Sequence, residues 1–250
     1  MILRNKYFYK PEHITCIIRH LSPVLRRLTG LKDFYAKLTS VLGVSQSKGH
    51  DRTDLNRSLA ATFGKWTNLE KLSLCEQSLC GYLDMILLPI PTSLVKLSLV
   101  ATQLKANDLI VLSRSQHAKS IRTLQLDHND LHSCLSAVQD LLLNLCSLFV
   151  LQMRHCLLSF DDCMALAVTL RTSTTIRSWT VINNHLLSLT NLKAFLVNCS
   201  KVMTLKEVGC RPAEYQYIFG QLLMNNRFQL TEEEKETLTR YSENLGLELI

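Results

Sequence analysis

Apolar residues recur along this chain in the pattern L-x-x-L-x-L-x-x-N-x-L. It fits Leu69, Leu72, Leu74, Gln77 and Leu79, then Leu94, Leu97, Leu99, Thr102 and Leu104. It fits again at Ile121, Leu124, Leu126, Asn129 and Leu131, and at Leu148, Leu151, Met153, Cys156 and Leu158. The fifth copy is Ile176, Trp179, Val181, Asn184 and Leu186. Successive starts lie 94 − 69 = 25, 121 − 94 = 27, 148 − 121 = 27 and 176 − 148 = 28 residues apart. Five positions recurring five times mark an internal repeat, and that repeat governs every local reading. The L-x-x-L-x-L portion predicts a short strand whose leucines enter the core while the residues between them face the other way. The ninth position turns the chain. Asn129 and Asn184 can satisfy backbone groups opened by the bend, whereas Gln77, Thr102 and Cys156 anchor it less well.

Repeats of this length leave room for a helix on the return leg. Asn107 and Asp108 precede the apolar run from Leu109 to Leu112, as helix-starting residues do. Residues 133–146 space Leu135, Val138, Leu142 and Leu145 as one helical face. Asp161 and Asp162 open another helix through Met164, Leu166, Ala167 and Leu170, and Asn191 begins a fourth. Parallel strands inside and helices outside make an α/β solenoid, the leucine-rich-repeat horseshoe, with the strands on its concave face. The predicted organisation is an N-terminal helical segment of an incomplete first repeat over 1–30, repeats over 31–210, and a C-terminal capping region over 211–250.

The ends are less regular. Leu31, Phe34 and Ala36 read as a weaker strand, preceded by a helix over 13–28, and polar residues 45–52 read as a surface loop. A sixth strand is expected to begin over Val202 to Leu205. Thr231 followed by Glu234 reads as a capping box opening a final charged helix, which suits the open end of a solenoid. No comparable cap is legible at the N-terminus, which suggests earlier repeats in a longer protein.

Composition changes this picture little. The 250 residues are 47% apolar with 8 Gly and 5 Pro, enough for a continuous core. No secretory leader and no bilayer-length apolar run is legible, so a cytoplasmic, or also nuclear, protein is expected. Nine cysteines, an odd number without a C-x-x-C pair, read as small apolar residues rather than disulfides or zinc ligands. The net charge of +7 is concentrated early, at residues such as Arg26, Arg27, Lys32, Lys65 and Lys71, while Glu232, Glu233, Glu234 and Glu236 reverse it late. The cations are dispersed among apolar helix positions without stacking aromatics, so a solvated surface is expected rather than a nucleic-acid site.

Ser115-Gln116-His117-Ala118 before Ile121-Arg122-Thr123-Leu124, residues 63–69, and the tail around Pro212 and Tyr215 carry a family resemblance. Over about residues 13–246 the chain resembles the PRAME / leucine-rich-repeat-containing protein fourteen family. That resemblance implies a substrate receptor of a cullin-RING ubiquitin ligase, attached through elongins B and C. The family's docking box, a small residue, Leu, three residues and Cys, has no match. Its nearest counterpart is Ser58-Leu59 with Phe63 in place of Cys. The L-x-x-L-L motif of some relatives is also absent, with Phe219 at its first position. Elongins and a cullin are thus expected partners of a full-length protein only.

No phosphate loop, nucleophile elbow or H-E-x-x-H helix is present, so no catalytic residue, metal or cofactor is expected. His128 and His132 beside Asp127 and Asp130 look like a metal cluster, but the turn at Asn129 separates them and a solvated turn is the expectation. Binding falls naturally on the concave face. Its candidate residues are Lys71, Ser73, Lys96, Ser98, Gln125, Asp127, Gln152, Arg154 and Thr180, with basic character at Lys71, Lys96 and Arg154. They would meet an acidic or polar protein segment, or else are ordinary solvent positions. The expected function is a protein-binding scaffold selecting ubiquitination substrates. The alternative is a ligase-independent inhibitor of signalling that masks a partner.

Overall fold

The computed structural model describes residues 2–4, 30–37, 50–76, 78–172, 175–182, 188–210, 217–218, 221–222 and 230–249. Ten strands are named in chain order before the last: β1 Ile2–Arg4, β2 Asp33–Lys37, β3 Lys71–Cys75, β4 Lys96–Val100, β5 Thr123–Gln125, β6 Val150–Gln152, β7 Ser178–Thr180, β8 Glu207–Gly209, β9 Tyr217–Ile218 and β10 Gln221–Leu222. The last is β11 Glu248–Leu249. One nine-stranded sheet runs β1-β2-β3-β4-β5-β6-β7-β8-β11, every neighbouring pair parallel. β9 and β10 form a separate antiparallel pair. The helices are α1 His50–Phe63, α2 Leu83–Leu87, α3 Ala106–Arg114, α4 Leu135–Asn144, α5 Phe160–Leu170, α6 Leu189–Cys199 and α7 Glu232–Asn244.

The repeat sets the register. Leu72, Leu97, Leu124, Leu151, Trp179 and Val208 stand opposite one another from β3 to β8. With the first and sixth positions they are buried in one continuous core. Each buried leucine contributes roughly 2 to 3 kcal/mol of apolar transfer. Phe34 of β2, Phe63 at the end of α1 and Trp66 cluster with ring centroids 4.8 to 5.5 Å apart, filling the N-terminal end. Trp179 and Phe195 meet at 5.2 Å towards the other end.

The turns after β3, β4, β5 and β6 use the same strained backbone. Glu76, Ala101, His128 and His155 hold the eighth position and all lie in the left-handed region, with φ of 59, 53, 60 and 54°. This conformation aims each of their N–H groups at the next repeat: Glu76 at Val100 O, Ala101 at Asp127 O, His128 at Arg154 O and His155 at Ile182 O, over 2.8 to 3.1 Å. At the ninth position Asn129 is buried and fully used. Its Oδ1 accepts from Thr102 N, Thr102 Oγ1 and Leu104 N, and its Nδ2 donates to Leu99 O and Leu126 O. Cys156, expected to anchor its turn less well, still donates from Sγ to Leu126 O at 3.3 Å.

A hydroxyl just before the first position ties each of the second to fifth repeats to the one before. Ser93 Oγ donates to Leu69 O, Ser120 Oγ to Leu94 O and Thr175 Oγ1 to Leu148 O, each at 2.8 Å. Ser147 Oγ reaches Lys119 O instead, also at 2.8 Å.

The return legs follow the pattern, with caps in place. Ser159 Oγ accepts the Asp162 N–H and the Asp162 carboxylate accepts the Ser159 N–H. Asp108 likewise accepts the Lys105 N–H, and its other oxygen takes Gly81 N from the preceding repeat. The capping box of Thr231 and Glu234 opens α7 as expected.

Two expectations are corrected. The sixth strand, expected over Val202 to Leu205, is instead β8 at Glu207–Gly209, with Leu205, Val208 and Cys210 as its repeat positions, because β8 pairs Val208 with Trp179. Val202 is buried too, but at the end of the return leg, so apolar content alone placed the frame wrongly. Residues 50–52, read as loop, begin α1, which is held by Asn56, Leu59, Ala60 and Phe63 buried along one helical face. Strands β1 and β11 had no counterpart in the pattern. The predicted helix over 13–28, the loop residues 45–49, Gln77 and Asn184 lie outside the described residues.

Candidate functional site

The residues between the core positions form three rows across the concave face. The third-position row is Asp33, Lys71, Lys96, Thr123, Val150, Ser178 and Glu207. The fifth-position row is Tyr35, Ser73, Ser98, Gln125, Gln152, Thr180 and Gly209. Cys75, Val100, Asp127, Arg154 and Ile182 hold the seventh position. All nine candidate residues therefore lie on the concave side, but they are not equally open.

Lys71 and Lys96 are exposed, and Ser73, Gln125, Gln152 and Arg154 are half-buried. Ser98, Asp127 and Thr180 are buried, at 2, 3 and 2% exposure, and so are not the solvent positions alternation predicts. For two of them the cause is a polar network. Ser98 Oγ donates to Gln125 Oε1 at 2.9 Å, and Gln125 Nε2 donates to Asp127 Oδ2 at 2.7 Å. Asp127 Oδ1 accepts the Arg154 N–H at 2.8 Å, with Arg154 Nη1 4.0 Å from Oδ2. Four expected contact residues thus hold one another across three repeats.

The expected basic character is also redistributed. Lys71 Nζ donates to Asp33 Oδ2 at 2.9 Å, and Arg154 stands against Asp127. Lys96 makes no ion pair among the described residues and keeps its charge available to a partner. Asp33 escaped the sequence reading because its repeat departs from the pattern. Its signal is the one-residue offset from Phe34, the place Lys71 takes beside Leu72.

The histidines divide. His128 and His155 stack with centroids 4.6 Å apart and planes 15° from parallel. Burial first, then the charges of His155 and Arg154, push the His128 imidazole down to about 4, against the pull of Asp127. His132 points elsewhere: its Nδ1 lies 2.5 Å from Asp162 Oδ2. That hydrogen bond and charge raise the His132 value. Burial alone would raise Asp162, but the bonds from His132 and Ser159 outweigh it and hold the carboxyl low. Among the described residues no group of three or more His, Cys, Asp or Glu side chains gathers. Burial raises the Cys156, Cys163 and Cys199 thiols, so they stay protonated and weak as nucleophiles. No described helix is long and apolar enough to cross a membrane.

In-register parallel strands, outer helices and the repeated turn define a leucine-rich-repeat solenoid, a scaffold whose strand face presents side chains for protein binding. No protein-family model matches the chain. It is similar to leucine-rich repeat-containing protein 14 from Homo sapiens, at 32% identity over 162 residues, 64% of this chain and 33% of the relative. The Mus musculus protein of that name matches at 31% over the same shares, and the Bos taurus protein at 36% over 38% of this chain and 19% of its own length. These matches support the resemblance read from the sequence. The chain spans about a third of the length of the first of these relatives.

Proposed function

We propose that this chain recognises protein partners on its concave face and that, in a full-length protein, it selects substrates for a cullin-RING ubiquitin ligase. The observation that carries recognition is the pair of exposed lysines, Lys71 and Lys96, beside half-buried Ser73 and backed by a network that fixes Gln125 and Arg154 in place. Side chains so held lose little entropy on binding. Lys96 supplies the charge that an acidic or polar segment would meet. Delivery to the ligase rests on the family resemblance and needs elongins B and C. We assign no catalytic role, and read the chain as a scaffold rather than an enzyme.

One observation favours the second reading, masking of a partner without ligase attachment. The nearest counterpart of a docking box places Leu59 and Phe63 in α1, where both are buried, Phe63 against Phe34 and Trp66. Those side chains are committed to the core and cannot dock an elongin.

Tagged protein captured from cells, with partners identified by mass spectrometry, separates the readings. Elongins and a cullin in the eluate support substrate selection. A retained partner without them supports masking. Reversing Lys96 to Glu is expected to weaken partner capture several-fold while the circular-dichroism melt is unchanged. Undiminished capture would remove the concave face from the account.

A further inference from the structure

We propose that the starts of β5 to β8 form a second docking surface, where Arg122 and Arg177 flank the exposed Phe149 ring and capture an acidic extended segment of a partner protein. This surface lies on the rim of the sheet and does not depend on the concave-face reading.

The rim exists because of one backbone device. At each junction the second and third residues of a repeat both donate to a single carbonyl of the repeat before. Arg122 N and Thr123 N meet Val95 O at 2.8 and 3.1 Å, and Phe149 N and Val150 N meet Arg122 O at 2.7 and 3.0 Å. Arg177 N and Ser178 N meet Phe149 O at 2.9 and 3.1 Å, and Lys206 N and Glu207 N meet Arg177 O at 2.8 and 2.9 Å. The shared carbonyl breaks the strand's alternation, so the second residue is exposed where alternation from the buried fourth would turn it inward, and the first, at Ile121, Leu148, Ile176 and Leu205, is buried. Neighbours along this row touch. Lys32 Nζ lies 2.9 Å from Glu70 Oε1, and the Arg177 guanidinium lies over the Phe149 ring, 5.0 Å from its centroid.

Charge along the row is uneven. Lys32 and Glu70 neutralise each other, and Val95 is uncharged. Arg122, Phe149, Arg177 and Lys206 follow with no acid in the row, and exposed Lys119 lies just before Arg122. Glu207 and Glu248 stand in register with each other beside Lys206, so the uncompensated charge centres on Arg122 and Arg177. Neither arginine makes an ion pair among the described residues. Phe149 is 42% exposed, large for an aromatic ring in a chain that buries both its tryptophans.

The spacing selects the partner. Adjacent strands lie about 4.8 Å apart, so the two arginines, two strands apart, begin roughly 10 Å from each other. A segment in the extended polyproline II form advances about 3.1 Å per residue with about three residues per turn, so carboxylates three residues apart share one face and span about 9 Å, close to that distance. Each can take a two-pronged bond from a guanidinium, and an apolar residue between them covers Phe149. Covering the ring also removes water from the Arg177 contact and strengthens it. Nucleic acid fits less well: few cations lie along one edge, and one face of Phe149, the only ring in the row among the described residues, is already occupied by Arg177.

The test uses fluorescence anisotropy with a labelled synthetic peptide carrying two aspartates three residues apart and a leucine between them. Binding to the wild-type chain is expected, with a loss of about tenfold or more in the Arg122→Glu, Arg177→Glu double variant. Replacing both peptide aspartates by asparagine should cost as much, and Phe149→Ala a few-fold. A charge-matched control reversing exposed Lys65 and Arg114 should retain binding. Melting curves check that the variants fold, and the milder Arg122→Gln, Arg177→Gln pair serves if reversal disturbs the sheet. Three outcomes overturn the proposal: no binding by the wild type, equal losses in the control, or tighter binding of a labelled oligothymidylate that the same double variant abolishes.

Discussion

Asn129 spends its side-chain amide mainly on backbone groups that the bends after β4 and β5 would leave open, and it does so out of contact with water. Asn129→Ala strands several buried donors and acceptors, so it should cost about 3 kcal/mol in urea denaturation, more than an average substitution. Ala101 makes the opposite case. Its left-handed backbone, with φ of 53°, suits glycine better than a residue carrying Cβ. Ala101→Gly should therefore raise stability, by about 0.5 kcal/mol after the added freedom of the unfolded chain is set against the relieved strain. Titration offers a third check. His117 and His128 are held below their ordinary value of 6.5, chiefly by burial, so the unfolded chain takes up protons first. Their contribution is complete above pH 6.5 and is lost as pH falls towards the folded values, about 4 for His128. For the partly exposed His128 the loss should be about 1 to 2 kcal/mol, read from denaturation midpoints. His132 works the other way, its raised value giving stability below pH 6.5 that fades as pH climbs through the folded value. The companion Asp162, held low, gives stability that is lost only as pH falls through its folded value. The His132 and Asp162 pair is thus most effective between those two limits.

Elements here stand or fall by their ends. Removing the Thr231 hydroxyl should cost α7 about 1 kcal/mol, visible as an earlier thermal midpoint, because the Glu234 N–H loses its acceptor. That cap was legible in the sequence, as were β3 to β7 and the helices after β4 to β7, because leucine spacing and capping residues are local signals. The frame of β8 was not, since Val202 and Leu205 are both apolar and only pairing with Trp179 decides between them. A local signal did exist: Thr204 stands just before Leu205, as Ser93, Ser120, Ser147 and Thr175 stand before their first positions. The candidate site was legible as a face but not as a surface. Alternation put the nine residues on one side. It could not foresee that Ser98, Gln125, Asp127 and Arg154 would bond to one another, since that depends on side chains about 27 residues apart meeting across strands. β1 and β11 were illegible because two or three residues carry no period.

Across the whole molecule each repeat touches mainly its neighbours, so disturbance should spread only locally. Leu124→Ala, in the middle of the sheet, should speed amide exchange in β4 to β6 well before it does so in β8 and β11, as hydrogen-exchange mass spectrometry would resolve. Uniform acceleration would mean that the array unfolds as one unit. The hydroxyl row at the repeat junctions carries a separate consequence. Each link runs from the last residue of a return leg to a carbonyl at the start of the preceding strand. Its reach does not depend on how many residues the leg contains. It behaves as an indexing detent, catching a leg of any length at the same notch. The three legs that carry it lead to repeats starting 25, 27 and 28 residues after the one before, and still feed strands that stay in register. Outer legs are free to lengthen, shorten or diverge in sequence, while the inner face keeps a constant pitch.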